Sequence, residues 1–264
     1  MKTNGFIKIL TSASIIIAVV SSFTSCISIT KSTYRESEPT VLQIDNCEIS
    51  SSGAVYMNIF GYIKTDFVPA SVKIVCADLV IYCDPLIVED TAKADFIFIT
   101  HDHPDHFSKK DINKLIKPET VLIAPKNITG KYSYIENHPA KIGTRTNLGK
   151  IQFEVVESYN INSKIHKKGS NFVGYVIVCD ATRIYIAGDT DFIPEMKELS
   201  DITVAIVPIG EGKTAMNPED AAEAVNMINP AIAIPVHYEL NKNREKGFLE
   251  KVNDRIEVRF FQSY

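Results

Sequence analysis

Six consecutive residues, His101-Asp102-His103-Pro104-Asp105-His106, place three imidazoles and two aspartates beside a proline, directly after the apolar run 95–100. Imidazole nitrogens and carboxylate oxygens are the donors that zinc, manganese or iron accept. Without a cation, so many polar groups in one short segment would repel one another or stay unsatisfied. A loop at a strand's end can aim several side chains at one point, and Pro104 keeps this one from continuing as a simple helix. Two more candidates stand in the same kind of place. Asp189 follows Gly188 after the run 183–187, and His237 ends the run 231–236. His138, before a proline in a polar stretch, reads as an ordinary loop histidine.

These side chains need strands to carry them. Short β-branched or aromatic runs recur at 55–60, 71–75, 79–83, 95–100, 120–124, 151–156, 172–178, 183–187, 203–208, 231–236 and 256–261. Each has strand length, and most are bounded by Gly, Asn, Asp or Pro. The first three are close enough to be successive hairpins of an antiparallel sheet. Ser108 and Asp111 form a capping box before DINKLIK, which Pro118 closes. Asn217 with Pro218 starts a second helix whose inward face is Ala221, Ala222, Ala224, Val225 and Ile228, and Asn229-Pro230 ends it. PEMKELS reads as a weaker helix. The alternation predicts an α/β fold with two sheets face to face and helices outside, forming one domain over 40–264.

The chain has 264 residues, of which 45% are apolar and 23% charged, with a net charge of −4. That composition excludes disorder, a coiled coil and a polytopic membrane protein, and it argues against a nucleic-acid partner. The start is different in kind. Lys2 and Lys8 flank the beginning of a mostly apolar stretch over 9–20, and small residues lead to Cys26. This is the layout of a secretory signal over 1–25. It resembles a bacterial lipoprotein signal, which implies lipidation of Cys26, export, a membrane partner through that anchor, and a polar tether over 26–39. Of the other cysteines, Cys76, Cys83 and Cys179 lie in or beside apolar runs where buried thiols are common. One disulfide is compatible with export, with its pairing open.

His101, His103, Asp105 and His106 reproduce H-x-H-x-D-H, and the chain thereby resembles the metallo-β-lactamase superfamily over roughly 40–240. The resemblance implies a four-layer αββα sandwich of two mixed sheets. It also implies that Asp189 is the metal-bridging aspartate and His237 the last metal histidine. Within the superfamily, YCDP (82–85), GYVI (174–177) and MNPEDAAEAVN (216–226) resemble the branch of short metal-dependent hydrolases that includes ascorbate-phosphate lactonase. The phospholipase D acting on N-acyl-phosphatidylethanolamine is a more distant relative. One position departs. Where the family supplies a further histidine at a strand end, this chain has Asn160, with His166 six residues on as the other candidate for a metal or substrate role.

These residues imply one or two divalent ions per chain, zinc before manganese. The activity implied is hydrolysis of an ester, lactone or phosphodiester, in a small molecule or a lipid, by metal-activated hydroxide. Asp105 is then both ligand and proton carrier. Tyr159, Lys167, Lys168, Thr190 and Thr214 are candidate substrate contacts. The alternatives are a phospholipid phosphodiesterase at the membrane, a β-lactamase, and a metal-binding protein without turnover. A homo-oligomer is compatible with all of them.

Overall fold

The computed structural model describes residues 27–33, 40–61, 63–210, 212 and 214–261. The signal segment and Cys26 lie outside the described residues. The first elements in chain order are β1 (Ile27–Lys31), β2 (Leu42–Ile44), β3 (Cys47–Ser51), β4 (Val55–Ile59), β5 (Ile63–Val68), β6 (Val72–Cys76), β7 (Leu79–Cys83) and β8 (Phe96–Phe98). Then come α1 (Lys109–Leu115), β9 (Val121–Ala124), α2 (Lys126–Thr129), β10 (Glu136–Pro139), β11 (Arg145–Asn147), β12 (Ile151–Glu157), β13 (Val173–Cys179) and β14 (Thr182–Ile186). A 3-10 turn (Pro194–Glu198) leads to β15 (Val204–Pro208), α3 (Pro218–Ile228), β16 (Ile232–Val236), β17 (Tyr238–Glu239), α4 (Arg244–Leu249) and β18 (Glu257–Val258).

Two seven-stranded sheets form the sandwich, in the orders β10-β9-β8-β7-β6-β3-β2 and β11-β12-β13-β14-β15-β16-β18. Both mix parallel and antiparallel pairs. Alternation along each strand sends one set of side chains between the sheets. There Ile49, Ile74, Ile81 and Phe98 meet Phe153, Tyr175, Ile177 and Ile234. On the outer face of one sheet, Ile97, Ile99 and Leu122 pack against Ile112 and Leu115 of α1 and Ile128 of α2. On the outer face of the other, Tyr185, Ala205 and Ala233 pack against Ala221, Ala224 and Val225 of α3 and Phe248 of α4. This is the four-layer αββα arrangement. Fully burying each of these Ile, Val or Phe side chains contributes about 1.5–3 kcal/mol, so the framework under the strand ends is rigid.

The helix caps form as the sequence predicts. The Ser108 side chain accepts from the Asp111 amide, and Asn217 accepts from that of Asp220. Asn229 ends α3 in the left-handed region, φ 55°.

Several expectations are corrected. The run 55–60 does not join the next two as one meander: β4 pairs with β5, in a separate four-stranded sheet β1-β4-β5-β17. The expected tether is a strand over 27–31, because the alternation Ile27-Ser28-Ile29 matches the free edge of β4. PEMKELS forms a 3-10 turn rather than an α-helix, and the last run is strand only over Glu257–Val258. Cys76 is not a free thiol. It stands opposite Cys47 across β3 and β6, with Cα atoms 4.3 Å apart, and the two form a disulfide, while Cys83 and Cys179 remain buried thiols.

Candidate metal centre

Strand direction decides where the candidate residues meet. β7 and β8 are parallel, and so are β14, β15 and β16, while β12 reaches the direction of β14 through two antiparallel pairings. The C-terminal ends of β12, β14 and β16 therefore lie at one edge of their sheet, as those of β7 and β8 do in the other. Carboxyl ends of parallel strands are where such folds place their ligands. Residues 101–106 follow β8 in a tight turn, with the amides of His106 and Phe107 both donating to the His103 carbonyl. Asp189 follows β14 after Gly188, whose φ of +65° favours glycine and where a Cβ would lie 3.1 Å from Thr100. His237 follows β16 with φ 55°, a strained value for a histidine. Its carbonyl lies only 2.2 Å from where a Cβ on Gly210 would sit, so that position admits glycine alone.

Two groups of donors result: His101, His103, His166 and Asp189, and Asp105, His106 and His237. Asp189 faces both. Its Oδ2 is 3.9 Å from His101 Nε2, while its Oδ1 is 3.2 Å from His106 Nε2 and 3.4 Å from His237 Nε2. His237 Nε2 also lies 3.3 Å from Asp105 Oδ2, and His166 Nε2 lies 3.1 Å from His103 Nδ1. His101, His106, His166 and Asp189 are almost wholly buried, whereas His103 and Asp105 are half-buried and Asp105 lines a cleft.

His101 Nε2, His106 Nε2, His166 Nδ1, His237 Nδ1 and Asp189 Oδ1 are buried without a hydrogen-bond partner. Each unsatisfied buried group costs about 1–3 kcal/mol, so as protein alone the cluster is unfavourable. This donor set fits a divalent metal, and nitrogen with carboxylate oxygen suits zinc or manganese.

The electrostatics agree. Burial alone would lower the basicity of His106, but the carboxylates of Asp189 and Asp84 outweigh it and raise its pKa well above the usual histidine range. Its proton occupies the electrostatic place a cation would take. Burial and the surrounding imidazoles push His101 well below that range. Burial also lowers His166, to about 4, against the pull of Asp189. Burial works to raise Asp105 and Asp189, yet the nearby histidines hold both below the usual carboxylate range. Neutral imidazoles beside ionised carboxylates are the states in which these groups bind metal.

All six strand-end candidates converge. Of the two alternatives for the remaining place, His166 is the one gathered with His101 and His103. Asn160 closes the loop behind it: the Asn160 amide donates to the His166 carbonyl at 2.7 Å, and its side chain donates to Asp191 at 2.7 Å. Asn160 Oδ1 is buried without a partner. Three expected substrate contacts are otherwise engaged. Lys168 pairs with Glu195 and lies 5.1 Å over the Tyr159 ring, which also occupies Tyr159. The Thr190 hydroxyl donates to the Tyr159 carbonyl at 3.1 Å and pins that loop to Asp189. Thr214 does line a cleft of about 610 Å³ with Asp105, His237, Met57, Ile59, Thr65 and Phe67. His138 lies away, beside Glu136.

Sequence reasoning did not single out Asp84. It ends β7 in the left-handed region and accepts from the Thr100 amide at 2.8 Å, from the Thr100 hydroxyl at 2.6 Å and from His106 Nδ1 at 2.7 Å. It thereby fixes the His106 ring so that Nε2 faces Asp189. The signal available was an acidic residue ending a buried apolar strand and followed by proline, in YCDP.

A profile described as the beta-lactamase superfamily domain matches residues 67–237, well over half of the chain. A UPF0173 metal-dependent hydrolase of Lysinibacillus sphaericus is 33% identical over 154 residues, covering 54% of this chain and 67% of the relative. Another, from a Geobacillus species, is 32% identical over 194 residues, 63% of this chain and 81% of the relative. The chain belongs to the UPF0173 metal-dependent hydrolase family of the metallo-β-lactamase superfamily.

Solved structures agree on the fold of this hydrolase. A protein from Parabacteroides distasonis, assigned as a metal-dependent hydrolase, superposes with a TM-score of 0.67 at 28% identity over 87% of this chain and all of its own. Igni18, a metallo hydrolase from Ignicoccus hospitalis, does so with a TM-score of 0.58 at 20% identity, over 74% of this chain and 93% of its own.

Proposed function

We propose that this hydrolase cleaves an ester, lactone or phosphodiester bond, and that His101, His103, His166 and Asp189, with Asp105, His106 and His237, would hold the divalent metal that supplies the activated water. The observation that supports this best is that the buried Nε2 atoms of His101 and His106 face the Asp189 carboxylate, and that neither they nor Asp189 Oδ1 has a hydrogen-bond partner among the described residues. Bound divalent ions supply Lewis acidity and a water acidified to a pKa near ~7. The protein's own residues do the rest. Thr100 and Asp84 orient His101 and His106 through their Nδ1 atoms, at 3.0 and 2.7 Å. Asp105, ionised and lining the cleft beside His237, is placed to take the proton of the attacking water and pass it to the leaving group. The apolar side of the cleft, from Met57, Ile59 and Phe67, excludes water and holds an apolar part of the substrate.

That apolar wall favours an amphiphilic substrate, a phospholipid diester included, and with it export and anchoring through Cys26. A β-lactamase is the second reading, supported by the place of His166 beside His101 and His103. Chelation should abolish turnover in a screen of p-nitrophenyl phosphodiesters, lactones and thioesters, and Zn²⁺ or Mn²⁺ should restore it. Full activity in protein shown to be metal-free would overturn the reading. Nitrocefin turnover exceeding that of every ester would select the second one.

A further inference from the structure

The small sheet β1-β4-β5 carries an apolar face that does not end at the cleft. Directly opposed residues of antiparallel strands share a face. Val55 opposes Phe67, Met57 opposes Thr65 and Ile29, and Ile59 opposes Ile27. The face thus runs from Phe67, whose ring centroid is 4.8 Å from that of His237, through Met57 to Ile59 and Ile27. Along β5 this is four residues, or about 13 Å at ~3.3 Å per residue. It ends in solvent: Ile27 is 40% exposed, and Phe60, at the hairpin turn, is 49% exposed.

Phe60 has a φ of 52°, a turn conformation that glycine or asparagine adopts with least strain, and it joins none of the apolar clusters among the described residues. Lys64 beside it is exposed as well. On the other side of the cluster, the loop carrying His166 exposes Ile161 and Ile165.

What covers this edge is indicated by the chain that leads to it. β1 begins at Ile27, the residue after Cys26, and the preceding sequence is the basic start and apolar stretch of an export signal. Consecutive Cα atoms are about 3.8 Å apart, so a lipid on Cys26 would hold the β1 edge at the bilayer surface. The start of the expected tether, from Ile27 to Lys31, is strand, so little slack separates anchor from sheet.

We infer that the hairpin tip formed by Ile27, Ile59 and Phe60 docks into the lipid bilayer and holds the metal cleft open towards it. This rests on the proposed anchoring at Cys26 and adds a second contact made by the folded domain itself. An aromatic wedge with a neighbouring lysine is the chemistry by which protein edges seat at an anionic lipid interface. Substrate would then enter along the apolar face from the membrane side.

The chain has no tryptophan, so a single introduced indole is an unambiguous reporter. Full-length Phe60→Trp and Met227→Trp, the latter on the exposed face of α3, would each be reconstituted into phosphatidylethanolamine–phosphatidylglycerol vesicles with brominated acyl chains. The Phe60→Trp emission should shift to the blue and be quenched at least two-fold, the Met227→Trp emission should not change, and adding Ile59→Asp to Phe60→Trp should halve the quenching. Vesicle-bound protein whose Phe60→Trp indole is quenched no more than that of Met227→Trp would overturn docking and leave the anchor standing. Protein that fails to stay with the vesicles would overturn both. Metal-dependent hydrolysis in solution is a separate readout.

Discussion

The two halves of the candidate metal centre are built differently. On the side of Asp105, His106 and His237, each ligand rides on the end of a buried strand or on the tight turn after β8, and Asp84 locks the His106 ring from behind. On the side of His101, His103 and His166, the third histidine comes from a loop that leaves β12 and folds back through the hydrogen bond between the Asn160 amide and the His166 carbonyl. Asp189 belongs to both. One half is fixed by the sandwich core, whereas the other depends on a loop closure worth a few hydrogen bonds at about 0.5–1.5 kcal/mol each. The core-built half should therefore hold its ion tightly, and the loop-built half should be the one that empties first.

Changing the shared residue should do the most damage. Asp189→Asn should remove metal from both halves and reduce turnover at least about 10³-fold; retention of two ions, measured by metal analysis, would break the comparison at its centre. Asp84→Asn should come next. It leaves an acceptor for Thr100 but weakens the hold on His106, and losses of about 10–100-fold in metal affinity or activity are usual for such partners. A loss confined to the core-built half would sharpen the contrast. His166→Ala should release one ion and leave the other, so a titration would show a single remaining site. Asn160→Ala should have the smallest effect on chemistry. It keeps the backbone bond to His166 and loses only the side-chain bond to Asp191, so turnover should fall less than with His166→Ala.

Acid should distinguish the halves too. His166 has a pKa of about 4 in the metal-free fold against about 6.5 for a free histidine, so the unfolded chain binds more protons between those values. Its contribution to stability is therefore complete above the unfolded value and is lost as pH falls from about 6.5 towards 4. His106 has the opposite sign: its pKa is raised, and its contribution is lost as pH rises through that raised value. The stability difference between metal-free wild type and His166→Ala should accordingly grow with pH across 4–6.5 and level off above. A difference independent of pH, measured by denaturant titration, would mean that this imidazole is not buried as described.

The same contrast explains what could be read from the sequence. The core-built half was legible because its ligands sit next to β-branched runs, where strand ends can be counted. His101 and His103 shared that advantage. The choice between Asn160 and His166 stayed open because no periodicity fixes how a loop of irregular residues folds back. Asp84 passed unremarked as a single acidic residue, since its three partners are brought to it by parallel pairing of β7 and β8 and by the turn after β8. The segment 27–31 reads as tether in the sequence because Ser28, Thr30 and Lys31 look solvated, yet an edge strand with one apolar face has that pattern. The helix caps and most of the strand runs needed only local chemistry, and they stand where the residues put them.

Anomalous diffraction from crystals of the full chain, recorded at the absorption edges of zinc and manganese, tests the account most directly. It predicts two peaks about 3.5–4 Å apart with Asp189 between them, each about 2.0–2.2 Å from its histidine nitrogens. A cluster without any peak, in crystals of protein that turns over substrate, would contradict it.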